Sequence, residues 1–295
     1  MPDDQPHRSG FVALLGRPNA GKSTLFNRIL GEKIAIISTK PQTTRNRIRG
    51  IYNAPGAQVV FVDTPGLHDP HKKDLNRAMV ENARTAAVEA DVLALLISAK
   101  DGFREEDEIG LDLLRGREQP AVLVINKVDT ILRPEVLPVI QQAAEMNLFK
   151  EIVPLSALTG DNVPAFVEVC KNLLPEGPDL FPTDILTDQA ERVWAAEIVR
   201  EKIFRHTSEE LPYASTVTVE TFEEDKDLIR IRALVLVERD SQKGIIIGRG
   251  GSMLKRIGSE ARRDLENFLG LKVYLELFVR VEKEWWRNPE NWNQG

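Results

Sequence analysis

Cysteine is almost absent. The 295-residue chain has one, Cys170, which excludes an intrachain disulfide and a cysteine-based zinc site. It lies in VPAFVEVCKNLL, on the apolar face of a helical pattern, where a free thiol packs as a small hydrophobe. Nor is there an apolar run approaching the roughly 20 residues that span a bilayer. The opening MPDDQPHRSG lacks the apolar core of a signal peptide, so a cytoplasmic protein is the expectation. An excess of positive charge is missing as well. The net charge is −6, and any nucleic-acid site must therefore be a local patch. What remains, 42% apolar and 28% charged residues, is ordinary globular composition with length for one large domain or two smaller ones.

Over residues 8–175 short apolar runs alternate with amphipathic stretches. GFVALLG, VVFVDTPG, DVLALLISAKDG, AVLVINKVD and EIVPLSA read as strands, and their nearly continuous apolar character suits a sheet covered on both faces. Helix-like segments separate them, which implies a doubly wound α/β domain with a mostly parallel sheet. Residues 176–187 are proline-rich and aperiodic, a linker pattern. Residues 188–283 then read helix–strand–strand–helix–loop–helix–strand, a small α+β domain, and 284–295 form a tail.

GRPNAGKS fits G-x-x-x-x-G-K-[ST] from Gly16 to Ser23, after a strand and opening a helix. In that setting Asn19, Ala20, Gly21, Ser23 and Thr24 present main-chain N–H groups and a helix N-terminus to phosphate, and glycine permits close approach. Lys22 reaches the outer phosphates and Ser23 offers its hydroxyl to Mg²⁺. NKVD supplies Asn126, Lys127 and Asp129 at the end of another strand. An ionised Asp129 only accepts hydrogen bonds, so it matches guanine's ring N–H and exocyclic amine and mismatches adenine.

With DTPG at Asp63 to Gly66, the set resembles the translation-factor-related GTPase class. That resemblance implies that Asp63 holds Mg²⁺ through water and that the Gly66 N–H meets the γ-phosphate. It further implies that Ser156, Ala157 and Leu158 form the last base-contacting loop, with the Ala157 N–H on the guanine oxygen. KIAIISTKPQTTRNRIRG matches a switch segment, in which one threonine of QTT closes over Mg²⁺; Thr44 is chosen over Thr43. Lys22, Thr44 and Gly66 are thus the catalytic candidates, and Ser23, Thr44 and Asp63 the metal set. Leu67 stands where many GTPases carry a water-orienting glutamine. An apolar side chain cannot do that work, so slow intrinsic hydrolysis, accelerated by a partner, is expected. His68 and His71 are read as solvated loop residues rather than bases.

A second glycine loop lies at Gly248, Arg249, Gly250 and Gly251. Between Arg239 and Arg263 seven basic residues face two acidic ones, a footprint for a phosphate backbone. The pattern I-I-G-x-x-G resembles the KH RNA-binding domain, here in its type II order, whose loop clamps about four nucleotides. Lys243, Ile246, Ile247, Lys255 and Arg256 join the loop as candidate RNA contacts, with Ile245 to Ile247 flooring an apolar groove. Trp285 and Trp286 are read as packing against this domain.

GRPNAGKSTL, QTTR, VDTPGLH, NKVD, ELPY, LVERDSQKGIIIG and IGSEARRDL together resemble the Era-like family of P-loop GTPases with a C-terminal KH domain. The resemblance implies GTP/GDP and Mg²⁺ as ligands. It also implies binding near the 3′ end of 16S rRNA during 30S subunit assembly, and loose association of a monomer with the inner membrane face. The C-terminal EWWRNPENWNQG departs from the family pattern. A GTP-regulated module whose KH-like domain recruits protein is the alternative, and salt-dependent RNA binding separates the two.

Overall fold

The computed structural model describes residues 6–38, 40, 42–68, 74–208 and 210–291, which fall into two compact units. The first takes the chain up to Ala35 and again from Thr44 to Asp188; the second takes Ile36–Thr43 and the chain from Gln189 onward.

In the first unit the elements are β1 (Arg8–Leu15), α1 (Lys22–Leu30), β2 (Ile48–Ala54), β3 (Ala57–Asp63), α2 (Asp74–Glu89) and β4 (Val92–Ser98). They continue with α3 (Glu108–Leu114), β5 (Ala121–Asn126), α4 (Leu137–Glu145), β6 (Glu151–Pro154) and α5 (Val163–Leu173). The sheet runs β2-β3-β1-β4-β5-β6, antiparallel only between β2 and β3. β3, β4 and β5 are buried along their whole length because helices cover both faces. The carboxyl ends of β1, β3, β5 and β6 lead into the four candidate motifs, and that edge is where such sheets place ligands. Cys170 is buried, which pushes its thiol pKa up and leaves it a packing residue.

Two features are not announced by periodicity. β2, IRGIYNA, carries Arg49, Gly50 and Asn53 among its apolar residues and forms an edge strand paired to β3. The proline-rich segment after α5 is fastened along this unit. Gln58 donates to the Phe181 carbonyl at 2.8 Å and accepts the Leu180 and Phe181 N–H groups. The Ile51 N–H reaches Leu186 O at 2.8 Å, and Arg49 pairs with Asp188 at 2.7 Å.

The second unit is α6 (Glu191–His206), β7 (Ser215–Glu224), β8 (Leu228–Val237), α7 (Asp240–Ile247), α8 (Ser252–Leu269) and β9 (Lys272–Val281). β7 pairs antiparallel with β8, and β8 parallel with β9; this is the type II KH order. β9 alternates in burial, as a strand with one covered face must. α8 buries Ile257, Ala261 and Leu265 at helical spacing. α6 is different: besides its apolar residues it buries Arg200, Glu201 and Lys202. Ile36 joins this unit's core at 1% exposure, a burial worth about 1.5–3 kcal/mol. Trp285 is also buried and donates from Nε1 to Ala214 O at 3.0 Å, so the tail packs here. Among the described residues no helix is long and apolar enough to cross a membrane.

Candidate nucleotide site and glycine-loop groove

The loop between β1 and α1 turns through Gly16, whose φ of 140° belongs to glycine. α1 begins after Gly21 without a side-chain cap, so its first N–H groups are left to an anion. Lys22 is buried and donates to the carbonyls of Gly16 and Arg17 at 2.9 and 3.0 Å. Burial brings its pKa down to about 8, against the opposing charges of Asp63 and Asp107. Thr24 follows, half-buried in the first turn.

Ser23, Thr44 and Asp63 converge. Ser23 Oγ donates to Asp63 Oδ2 at 2.6 Å, and the Thr44 hydroxyl lies 3.3 Å from the same oxygen and 3.0 Å from Ser23 Oγ. Thr43 turns elsewhere, donating to Lys40 O at 2.7 Å. Asp63 is fully buried and its Oδ1 has no hydrogen-bond partner among the described residues. Burial pushes its pKa up to about 6, with the Ser23 hydrogen bond the largest opposing effect. Two hydroxyls and one under-satisfied carboxylate form a hard-oxygen set. They fit Mg²⁺, which takes one or two carboxylates and draws its other ligands from substrate phosphates and water.

Gly66 lies against the loop: a Cβ there would stand 2.8 Å from Pro18 Cγ. The next N–H, of Leu67, donates to Gly16 O at 3.1 Å, while the Leu67 side chain is 2% exposed in the apolar core. His68 is not the solvated residue expected. Its Nε2 is shielded from water without a partner among the described residues, and burial, helped by Lys22, brings its pKa down to about 4. A neutral imidazole there escapes the cost of a buried charge. His71 lies outside the described residues.

Asn126 ties three motifs together. Its Nδ2 donates to Ala20 O at 2.8 Å, and its Oδ1 accepts the Ala157 N–H at 2.9 Å. Lys127 Nζ reaches Asn19 O at 2.6 Å. Ser156 Oγ donates to Asp129 Oδ1 at 2.5 Å, holding an otherwise exposed carboxylate. The Ala157 N–H is therefore shared: contact with a guanine oxygen requires it to bifurcate from Asn126. Leu158 is exposed. Sequence reasoning missed two arginines. Arg28 on α1 donates to the carbonyls of Ala157 and Leu158, and Arg17 pairs with Asp101 at 2.9 Å. No motif marks either, since both act on main chain or on distant loops.

In the second unit α7 ends at Gly248, and Arg249, Gly250 and Gly251 lead into α8. Arg249 and Gly250 are exposed, and Lys243 is half-buried on α7. A groove runs beside the loop, lined by Gly251, Leu254, Lys255, Gly258 and Arg262 from the loop and α8 and by Leu277 from β9. One expected contact is corrected. Ile246 is completely buried in the core, since successive helical residues point about 100° apart and one of three isoleucines must face inward. Ile245 is exposed and Ile247 half-buried. Arg256 is exposed on α8 and pairs with Glu260 at 3.4 Å. Leu254, Gly258 and Arg262 were missed, although their spacing from Gly251 marks one helical face.

Family comparison divides the chain in the same way. Residues 11–127 match the model described as 50S ribosome-binding GTPase, and residues 210–286 match that of the KH domain. The GTPase Era of Geobacter metallireducens is 55% identical over 284 residues, covering 96% of this chain and 95% of that protein. That of Geotalea daltonii is 53% identical over 288 residues, 97% of each. Among solved structures, Era in complex with MgGDPNP and nucleotides 1506–1542 of 16S ribosomal RNA superposes with a TM-score of 0.93 at 43% identity, covering 97% of both chains. A single-residue variant of Aquifex aeolicus Era bound to GDP·AlF4⁻ gives 0.92 at 43%, covering 96% of this chain and 97% of that one. With two glycine loops, their supporting motifs and more than half of all residues shared along nearly the full length, the chain belongs to the Era family of GTPases.

Proposed function

We propose that this protein is a GTP-driven switch that binds the 3′ region of 16S rRNA through its second unit and assists 30S subunit assembly. Residues 8–175 act as the G domain and 188–283 as the RNA-binding KH domain. The observation that carries the reading is the convergence of Ser23, Thr44 and Asp63 beside the phosphate loop, in a chain whose other glycine loop opens onto a basic, apolar-floored groove. The rRNA segment held by the related Era structure supports the choice of RNA.

In this reading the α1 N-terminus and Lys22 bind the phosphates, and Ser23, Thr44 and Asp63 hold Mg²⁺. When bound, the cation neutralises charge on the phosphate oxygens during transfer. Asp129, set by Ser156, selects guanine. With Leu67 turned into the core, water is left to main-chain groups near Gly66 and Thr44, so slow unassisted hydrolysis is expected. Lys243, Ile247, Gly248, Arg249, Gly250, Gly251, Lys255 and Arg256 contact RNA in this reading, joined by Arg262 from the groove. A cytoplasmic monomer, loosely associated with the inner membrane face, is supported by the family resemblance alone.

The test is binding of a 16S 3′-terminal oligonucleotide across a salt series, for the wild type and Gly250→Asp. Space around Gly250 is open, so the variant adds charge without a clash, at the cost of a side chain at φ 59°. Wild-type affinity is expected to fall steeply with salt, and the variant to lose roughly tenfold or more. Salt-insensitive binding, or an unchanged variant, favours protein recruitment instead.

A further inference from the structure

The segment read as a switch leaves the first unit after Ala35 and returns to it at Thr44. At its start Asn27 Oδ1 accepts the Ile34 and Ala35 N–H groups at 3.1 and 2.8 Å. Between those points its anchors come from α6. The Ile37 N–H donates to Glu201 Oε1 at 3.3 Å. The Lys40 ammonium donates to the Phe204 and Thr207 carbonyls at the helix end, where unsatisfied carbonyls and the helix dipole favour a cation. Arg200 Nη2 donates to the Thr43 carbonyl.

Arg200 is the unusual member. It is 1% exposed, its Nε is held by Glu197 at 2.8 Å, and Nη1 has no partner among the described residues. Glu197 also accepts from Nη2, and the guanidinium lies 5.2 Å over the Phe204 ring, but a buried guanidinium with an unsatisfied N–H remains costly beside an apolar side chain of equal size. What it grips lies one residue before Thr44, whose hydroxyl stands at Asp63 and Ser23. The boundary between the two units falls between Thr43 and Thr44.

We propose that Arg200, carried by the RNA-side unit, is a positioning residue for GTP hydrolysis: its grip on the Thr43 carbonyl fixes the peptide that aims Thr44 at the cation. The inference rests on the reading of Thr44 as a Mg²⁺ ligand. Misplacement of a ligand by about 1 Å can cost roughly 100-fold in rate, so one main-chain hydrogen bond has leverage here. The anchors on α6 are themselves tied to the helix behind the RNA loop. Lys202 donates to Glu201 Oε2 at 2.7 Å and to Asp264 on α8.

The experiment compares full-length wild type, Arg200→Ala, Arg200→Lys, Thr44→Ala and the Arg200→Ala/Thr44→Ala double variant. Single-turnover GTP hydrolysis is measured against Mg²⁺ concentration, with GDP affinity as the check on folding. Arg200→Ala is expected to lower the rate and raise the half-saturating Mg²⁺ concentration by roughly tenfold, leaving GDP affinity within about twofold. Arg200→Lys restores part of the rate, and Arg200→Ala adds little in the Thr44→Ala background, because the two act through one interaction. Additive effects, or a wild-type Mg²⁺ profile for Arg200→Ala beside an impaired Thr44→Ala, overturn the proposal. An unimpaired Thr44→Ala removes the ligand reading and the proposal with it. Should Arg200→Ala not fold, Glu197→Gln loosens the same guanidinium, and an unchanged Mg²⁺ profile there is equally contrary.

Discussion

At Gly16 an added Cβ would stand 2.4 Å from the Leu96 carbonyl oxygen, whereas at Gly250 and Gly251 it would meet nothing within 4 Å. The two loops use the same residue for opposite ends. In the first, glycine lets main chain press against main chain, so that a closed cradle of N–H groups keeps one shape for one small anion. In the second, glycine adopts φ of 59° and 79° in the open, so that the spine of a polymer can lie across the loop. The cradle tolerates no added atom at Gly16; the platform is tight where Gly248 meets Met253, at 2.7 Å from an added Cβ, and open at Gly250 and Gly251, where it tolerates atoms but not adverse charge.

The sharpest way to break this contrast is alanine at each loop. Gly16→Ala meets both a φ of 140° and a main-chain clash, so a loss of about 3 kcal/mol or more in stability is expected, together with loss of nucleotide binding. Gly250→Ala costs only the left-handed conformation, about 1 kcal/mol. Thermal unfolding and nucleotide titration of both variants check this, and equal effects would contradict the contrast. Asp129→Asn should act next in size and on the first loop's ligand alone. Removing a charged acceptor weakens GTP roughly 10- to 100-fold. The new amide donor suits xanthine's second carbonyl, so affinity for XTP should rise, while RNA affinity compared at saturating nucleotide stays unchanged.

How far the sequence could be read follows the same division. The phosphate loop, DTPG and NKVD are legible because their chemistry uses main chain and a few fixed side chains within short spacings. β2 was not, because an edge strand holding Arg49 and Gly50 carries little alternation. Nor was the fastening of residues 176–187, which depends on Gln58, more than a hundred residues away. Ile246 went wrong because three consecutive isoleucines in the short helix α7 do not reveal which one faces the core. The buried charges of α6 look like a solvated face until Ile37 and Thr43 are seen against them. In each case the missing information was a long-range partner.

If Arg200 acts on Thr44 as proposed, the loop built for a nucleotide and the loop built for a polymer work as one device. The most direct measurement is the affinity of the 16S 3′-terminal oligonucleotide for the chain loaded with a non-hydrolysable GTP analogue and with GDP, at one salt concentration. The account predicts affinities that differ by at least about fivefold, and a difference that shrinks in Arg200→Ala. Equal affinities in the two loaded states would contradict it.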